Sequence, residues 1–398
     1  MKPATPQVGL PAHDAALAWL LSPGAEGLGG EAVLERLFEL LVAEGIALYR
    51  CATALLTSHP EVFVRNVIWT RGEGSTSVAR KHDLAAHPDY AGSPVALVHA
   101  GSGPIRRKLE GPEDAIEFAA LRAMARKGIT DYLIVPLVFR DGFRNFISWS
   151  TDRQGGFSEA EIARLSGLTP VLALRLELES AHFATASLLR VYLGHNAAGR
   201  VLAGDFRRGG GESLRAAIWY ADLRDFTGLV DGHPVGEVVP LLDGYFEAAA
   251  NAVSDCGGEI LKFIGDAVLA IFVLGDAGPE RACQAALAAA EKALATLSAL
   301  NARHPALPPL EMGIGLHLGE VMYGNVGGRE RLDFTVIGAA VNEVTRIESL
   351  CKSLGVPLLM SGAFAQSCGS AEAVSLGEHR LRGVRQPREV ATLRRFKP

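Results

Sequence analysis

The second half of the chain alternates strand-like and helix-like runs, and this alternation restricts its fold more than any other feature of the sequence. Apolar runs of strand length lie at 214–222, 259–265, 267–273, 311–327 and 331–338. Segments with helical spacing lie between or after them, at 235–257, 279–303 and 340–355. The order β-α-β-β-α-β, with additions, is the ferredoxin-like arrangement. We therefore predict an α+β fold for residues 213–398.

The first half predicts a separate α+β module. A helix is expected at about 31–44, followed by strand-like runs at 46–57 and 61–70. The apolar runs 131–139 and 143–151 flank an Asp-Gly turn and predict a hairpin. Ser158, with Glu161 three residues later, is a capping box that opens a long helix over 158–190. We therefore expect a sheet closed by a helix that leaves the module.

Composition excludes several classes of protein. The 398 residues are 48% hydrophobic and 21% charged, which is typical of globular domains. A net charge of -5 provides no basic field for nucleic acid. The five cysteines include no CxxC pair, which argues against a disulfide framework or a cysteine-rich zinc site. No signal-peptide pattern or membrane-length apolar run is present, so we expect a cytoplasmic protein without a membrane span.

Two aspartates follow apolar runs and are candidate metal ligands. Asp222 ends the strand-like run IWYAD, and Asp266 lies in a turn between two strand-like runs. If these strand ends are neighbours in one sheet, the carboxylates converge and suit Mg²⁺ or Mn²⁺. Taken singly, Asp222 could cap the following turn, and Asp266 could be an ordinary hairpin residue.

A third segment, FTVIGAAVNEVTRIESL at 334–350, carries an amide and a guanidinium on one helix face. Asn342 and Arg346 are four residues apart, away from the apolar stripe of the helix. Together they suit a ribose and a phosphate. The alternative is a solvated polar face.

Together these segments resemble the catalytic domain of class III nucleotide cyclases, over about 214–396. The similar motifs are WYADLRDFT, KFIGDAVLAIF and DFTVIGAAVNEVTRIE. The resemblance implies conversion of ATP to cyclic AMP with two Mg²⁺ or Mn²⁺ ions. It implies that Asp222 and Asp266 bind the metals with the backbone of Leu223, and that the loop 223–227, with Phe226 and Thr227, lies near the triphosphate.

The resemblance also implies the nucleotide contacts. Lys262 and Thr335 would recognise adenine, Asn342 the ribose and Arg346 the charge that develops on the α-phosphate. Either Arg382 or Arg385 would bind the terminal phosphates. Lys with Thr resembles an ATP-selective subgroup that includes bicarbonate-responsive cyclases. Two departures from the family pattern are Asp225, where Gly is common, and Ala339, where Asp is common.

In this family the metal-binding and nucleotide-binding residues of one site come from two subunits. This chain has both sets, so the resemblance implies a homodimer with two shared sites. Two alternatives stay open. One is a degenerate cyclase fold that only binds or senses. The other is a cyclic-dinucleotide synthase, although Ile260 in GGEI stands where such enzymes carry an acid.

Residues 30–180 resemble a GAF domain, on the late hairpin and on GGFSEAEIARLSGLTPVLALRLE at 155–177. This implies a regulatory module that binds an unknown small ligand or only dimerises. The predicted organisation is an N-terminal extension at 1–29, the GAF-like domain at 30–180, a signalling helix and Gly-rich linker at 181–212 and the cyclase domain at 213–398.

Overall fold

The structure is a computed structural model, and it describes residues 14–25, 28–56, 64–80, 90, 92–140, 142, 144–205, 207, 209–304 and 308–398. The chain divides into two compact units, Met1–Leu188 and Leu189–Pro398. Within the described ranges, every helix is too short or too polar to cross a membrane.

The first unit is built on a six-stranded antiparallel sheet with the order β3-β2-β1-β6-β5-β4. Its strands are β1 (Arg50–Leu56), β2 (Val64–Thr70), β3 (Gly74–Arg80), β4 (Ile105–Lys108), β5 (Asp131–Val138) and β6 (Arg144–Thr151). Its helices are α1 (Ala15–Leu20), α2 (Gly30–Ala43), α3 (Pro94–His99), α4 (Ala119–Ala125) and α5 (Glu159–Leu193). The predicted hairpin is confirmed as β5–β6, although residues 141 and 143 of its turn, and the predicted strand positions 57 and 61–63, lie outside the described residues.

The start of α5 confirms the predicted capping box. The Ser158 hydroxyl accepts from the Glu161 backbone N–H at 3.3 Å, and the Glu161 carboxylate accepts from the Ser158 backbone N–H at 2.7 Å. Nearby, the fully buried Asp131 accepts from the Arg106 guanidinium at 2.8 Å. Arg106 also pairs with Glu159, in the first turn of α5, so this network fastens the helix to the sheet.

The second unit contains a sheet whose main path is β13-β14-β12-β10-β7-β9-β8, with β11 paired to β10. Its strands are β7 (Gly211–Leu223), β8 (Glu259–Ile264), β9 (Ala267–Val273), β10 (Met312–Gly327), β11 (Leu332–Ile337), β12 (Leu358–Ser361), β13 (Ala373–His379) and β14 (Arg388–Leu393). Its helices are α6 (His195–Leu202), α7 (Phe226–Gly232), α8 (Val235–Asp255), α9 (Gly278–Arg303), α10 (Ala339–Leu354) and α11 (Gly362–Cys368). The core order β7-α8-β8-β9-α9-β10 is the predicted β-α-β-β-α-β order.

The segment 195–212 is more regular than its glycines predicted. Residues 195–202 form α6, and Gly211 already belongs to β7. Gly211 faces Gly324 on β10, and a Cβ added at Gly324 would lie 2.2 Å from the Gly210 carbonyl oxygen. Glycine at 211 and 324 therefore permits a close approach of two strands.

Candidate active site

The sheet brings Asp222 and Asp266 to one edge. Asp222 is the penultimate residue of β7, and Asp266 lies in the turn between β8 and β9. The pairing of β7 with β9 sets Ala221 opposite Val268, two residues after Asp266. The structure therefore places the two predicted carboxylates together.

Burial and the neighbouring acid perturb Asp222. Burial, then the charge of Asp266 and a hydrogen bond shared with it, raise the pKa of Asp222 to about 6, and the Leu223 backbone N–H opposes the shift. One oxygen of Asp222, Oδ1, is buried and has no hydrogen-bond partner in the described part of the chain. An unpaired buried carboxylate oxygen beside a second acid suits a divalent cation. Within the described ranges, no three His, Cys, Asp or Glu side chains cluster to hold a metal, so this pair provides only part of a coordination shell.

The loop after Asp222 contains a left-handed residue. Asp225 has φ +56°, and no other described residue apart from glycine has a positive φ. Glycine adopts this conformation without strain. Aspartate is among the residues that tolerate it best. Phe226 then begins α7 and packs against the core, while Thr227 is exposed.

A second group of predicted residues gathers around β8 and β11. The Lys262 ammonium donates to the Asp333 carboxylate at 2.6 Å, and this hydrogen bond, the largest cause, lowers the pKa of Asp333. Asp333 and Thr335 are two apart on β11, so they share one face of the strand. Thr335 is buried, whereas Lys262 and Asp333 are partly exposed.

Helix α10 carries the remaining predicted side chains. Asn342 is exposed and Arg346 is partly exposed. A Cβ added at Gly383 would lie 3.4 Å from Arg346 Nη2, so the loop that holds the exposed Arg382 and Arg385 lies against this guanidinium. Arg346 makes no hydrogen bond or ion pair with any described residue.

The predicted site residues therefore form two groups. The metal half comprises Asp222, Asp266 and the loop 223–227. The nucleotide half comprises Lys262, Thr335, Asn342, Arg346 and Arg382. Among the described residues, no hydrogen bond or ion pair joins the Asn342 or Arg346 side chain to the acidic pair.

Comparison with known families decides the class of the second unit. Residues 212–393 match the family model for the adenylate and guanylate cyclase catalytic domain. This part of the chain is a class III cyclase catalytic domain. The match includes both halves of the site.

Relatives of the cyclase domain support this assignment. An uncharacterized protein of Mycobacterium tuberculosis is 38% identical over 192 residues, which are 48% of this chain and 33% of that protein. Adenylate cyclase 1 of Rhizobium meliloti is 36% identical over 152 residues, which are 37% of this chain and 23% of that protein. The chain thus spans about a third or less of the length of these relatives.

A solved structure agrees with the fold. A bacterial light-regulated adenylyl cyclase aligns with a TM-score of 0.50 and 22% sequence identity, over 66% of this chain and 86% of that chain. At this identity the likeness concerns the fold alone. It agrees with the mixed α/β architecture of the cyclase domain.

Two acidic residues of the cyclase domain were not predicted. Asp333 could have been noticed from the period of β11, since it stands two residues before Thr335. Glu348 could have been noticed as a charged residue beside Val344, Ile347 and Cys351 on the buried side of α10. Burial, then the charge of Asp222, raises the pKa of Glu348 to about 7, and Asp266 adds to this shift.

Proposed function

We propose that the protein is an adenylate cyclase that converts ATP to 3′,5′-cyclic AMP and pyrophosphate. The observation that carries the proposal is the acidic pair at the sheet edge, with a buried oxygen of Asp222 that has no hydrogen-bond partner in the described part of the chain. Asp222 and Asp266 would hold two Mg²⁺ or Mn²⁺ ions, helped by the backbone of Leu223. The bound ions would lower the pKa of the ribose 3′-hydroxyl and spread the charge of the phosphates.

The nucleotide half supports adenine as the base. Lys262 donates hydrogen bonds, which suits the ring-nitrogen acceptors of adenine. The carboxylate of Asp333, next to Lys262, accepts hydrogen bonds and suits the exocyclic amine, and the Thr335 hydroxyl can accept as well. Guanine presents a carbonyl in place of that amine, so an acceptor there disfavours GTP.

Two side chains of helix α10 would orient the reacting atoms and stabilise the charge that develops on them. Asn342 orients the ribose, so that the 3′-oxygen faces the α-phosphorus. Arg346 binds the charge that grows on the α-phosphate as the new bond forms and pyrophosphate leaves. Arg382 or Arg385, in the loop against Arg346, binds the terminal phosphates. The loop 223–227, with Phe226 and Thr227, lines the triphosphate from the metal half.

The separation of the two halves supports a homodimer with shared sites. Arg346 has no partner among the described residues of its own chain. In a two-fold dimer, the metal half of one chain would face the nucleotide half of the other, and two equivalent sites would form. The chain carries both sets, so no other protein is needed.

We propose further that the GAF-like residues 30–180 regulate the cyclase. The described part of this unit has a cavity of about 280 Å³, whose lining includes Leu55, Arg65, Glu179 and His182. A small molecule that binds in this cavity would be the signal to which the cyclase responds. We expect such a ligand to raise the melting temperature of the full chain but not that of an Arg65→Ala variant.

The first test is cyclic AMP formation from ATP with Mn²⁺ or Mg²⁺, with GTP as a parallel substrate. Wild type is compared with Asp266→Ala and with Asp276→Ala, a control at an exposed loop acid. We expect metal-dependent cyclic AMP from wild type and from the control, and none from Asp266→Ala. Activity of Asp266→Ala equal to wild type would refute the metal role, and preferential use of GTP would refute the substrate.

A further inference from the structure

Two glycines leave the space that allows Glu348 to lie very near the metal half. Gly313 on β10 pairs with Asp222, and a Cβ at Gly313 would lie 2.3 Å from Glu348 Oε1. Gly315, two residues on, allows the helix backbone to approach, because a Cβ there would lie 2.7 Å from the Val344 carbonyl oxygen. The strand therefore has no side chain at either position, and the Glu348 carboxylate lies over the residue that pairs with Asp222.

This carboxylate is largely buried and has no direct partner among the described residues. Glu348 is 9% exposed, and it forms no hydrogen bond or ion pair with any described residue. Its neighbours on the buried side of α10 are Val344, Ile347 and Cys351. Burial of an unpaired carboxylate costs several kcal/mol in principle, so an apolar residue or a glutamine would fit this position at a lower cost.

The charges around Glu348 are mostly negative. Asp222 and Asp266 both act on it unfavourably, and Arg224 is the cation that opposes them. Arg224 is shared with other groups, since it donates to the Val356 carbonyl and lies 3.7 Å from the Glu311 carboxylate. The negative charges of Asp222, Asp266 and Glu348 are thus opposed by Arg224, which is partly engaged elsewhere. Bound divalent ions would balance the excess negative charge.

We propose that Glu348 is a positioning residue of the metal site, whose carboxylate helps to attract and hold the cations at Asp222 and Asp266 without ligating them. The absence of a three-acid cluster within the described ranges agrees with an outer role. Groups around the direct ligands of metals commonly contribute about tenfold or more to affinity. This inference rests on the proposed function, because it assumes that the acidic pair binds metal.

The test measures Mn²⁺ binding to the full-length protein by electron paramagnetic resonance of the free ion, without nucleotide. Glu348→Gln keeps the shape and removes the charge. Glu343→Gln is the matched control, since Glu343 lies on the same helix but pairs with Arg388. We expect the Mn²⁺ dissociation constant to rise about tenfold in Glu348→Gln and to stay unchanged in Glu343→Gln.

Melting temperatures separate a charge role from a packing role. Without metal, Glu348→Gln should melt at or above the wild-type temperature because acid repulsion is relieved, and Mn²⁺ should raise it less than it raises wild type. If Glu348→Gln instead melts lower, Glu348→Asp decides: Mn²⁺ affinity close to wild type supports the charge role, and affinity as weak as that of Glu348→Gln overturns it.

Equal Mn²⁺ affinity in wild type and Glu348→Gln would overturn this inference alone. A wild-type protein that binds no Mn²⁺ would overturn the inference together with the proposed metal role. Cyclic AMP formation by wild type, measured separately, distinguishes these outcomes from a failure of the proposed function.

Discussion

The metal half and the nucleotide half of the site differ in how their charges are balanced. In the metal half, Asp222 and Asp266 share a partly buried edge, and burial and repulsion raise the pKa of Asp222 to about 6. In the nucleotide half, Lys262 is neutralised by Asp333, and Arg346 is free of any partner within the described residues. The metal half carries an excess of negative charge at a sheet edge, whereas the nucleotide half has Arg346, a cation unpaired within the described ranges, beside the exposed Arg382 and Arg385.

This difference indicates what each half lacks. The metal half has two of the ligands that a cation needs and an excess of negative charge, which metal ions can balance. The nucleotide half lacks a facing surface, which we propose a second chain supplies. Folding of one chain therefore prepares both halves, and cation binding and dimerisation would each complete one of them.

The largest effect is expected in the nucleotide half. Arg346→Ala should lower kcat by about two to three orders of magnitude, because in the proposed mechanism the guanidinium acts on charge present only in the transition state. KM for ATP should change little. Steady-state kinetics will check this, and a large rise in KM with unchanged kcat would show that Arg346 only binds the ground state.

The Lys262–Asp333 pair, which we propose recognises the base, gives the next effect. Asp333→Asn removes the acceptor charge next to Lys262, so the preference for ATP over GTP in kcat/KM should fall about tenfold. Ser370→Ala, at a partly exposed position of the same domain, serves as the control. An unchanged preference would mean that Thr335 alone selects the base.

A smaller effect concerns stability and pH in the metal half. The folded pKa values of Asp222 and Glu348, about 6 and about 7, exceed the unfolded values of 3.8 and 4.5. The native state therefore binds more protons between about pH 4 and pH 7, and its free energy of unfolding falls as pH rises through this range. The loss should be on the order of 1 kcal/mol, since solvent screens the half-buried Asp222.

Mn²⁺ should flatten this pH dependence, because the cations favour the ionised carboxylates. Urea unfolding at pH 5 and pH 8, with and without Mn²⁺, measures the effect. The described electrostatics would be contradicted if two results occurred together. The stability of the metal-free protein would stay flat or rise over this range, and its pH profile with Mn²⁺ would be the same.

The smallest effect concerns the left-handed residue of the metal half. Asp225→Gly should change the free energy of unfolding by no more than about 0.5 kcal/mol, whereas Asp225→Ala should destabilise by about 1 kcal/mol. Urea unfolding of both variants tests this. If the alanine variant is as stable as the glycine variant, Asp225 does not need the positive φ.

The site residues were predicted best from the sequence where their positions follow from a local pattern. Asp222 and Asp266 stand at strand ends that period and turn chemistry identify, and the order of strands brings them together. The Lys262–Asp333 pair depends on β8 and β11 lying near one another, which no local pattern encodes. Glu348 was missed because its burial depends on Gly313 and Gly315, far away in the sequence.

The remaining misses have similar causes. Strand β4 is short, and β3 and β13 are polar, so their formation depends on pairing with β5, β2 and β14 rather than on an apolar pattern of their own. Glycines at 209–211 predicted a linker, yet Gly211 serves close strand packing. Helix α6 is held by tertiary contacts at Ala197 and Ala198 more than by its own sequence.

The most direct test of the shared site is a mixture of two inactive chains, Asp222→Ala and Arg346→Ala. Each heterodimer would contain one site with both intact halves, and random pairing of equal amounts should restore about a quarter of the wild-type cyclic AMP formation. Each variant alone should stay nearly inactive. A mixture as inactive as its parents, although both chains dimerise and exchange, would contradict the account.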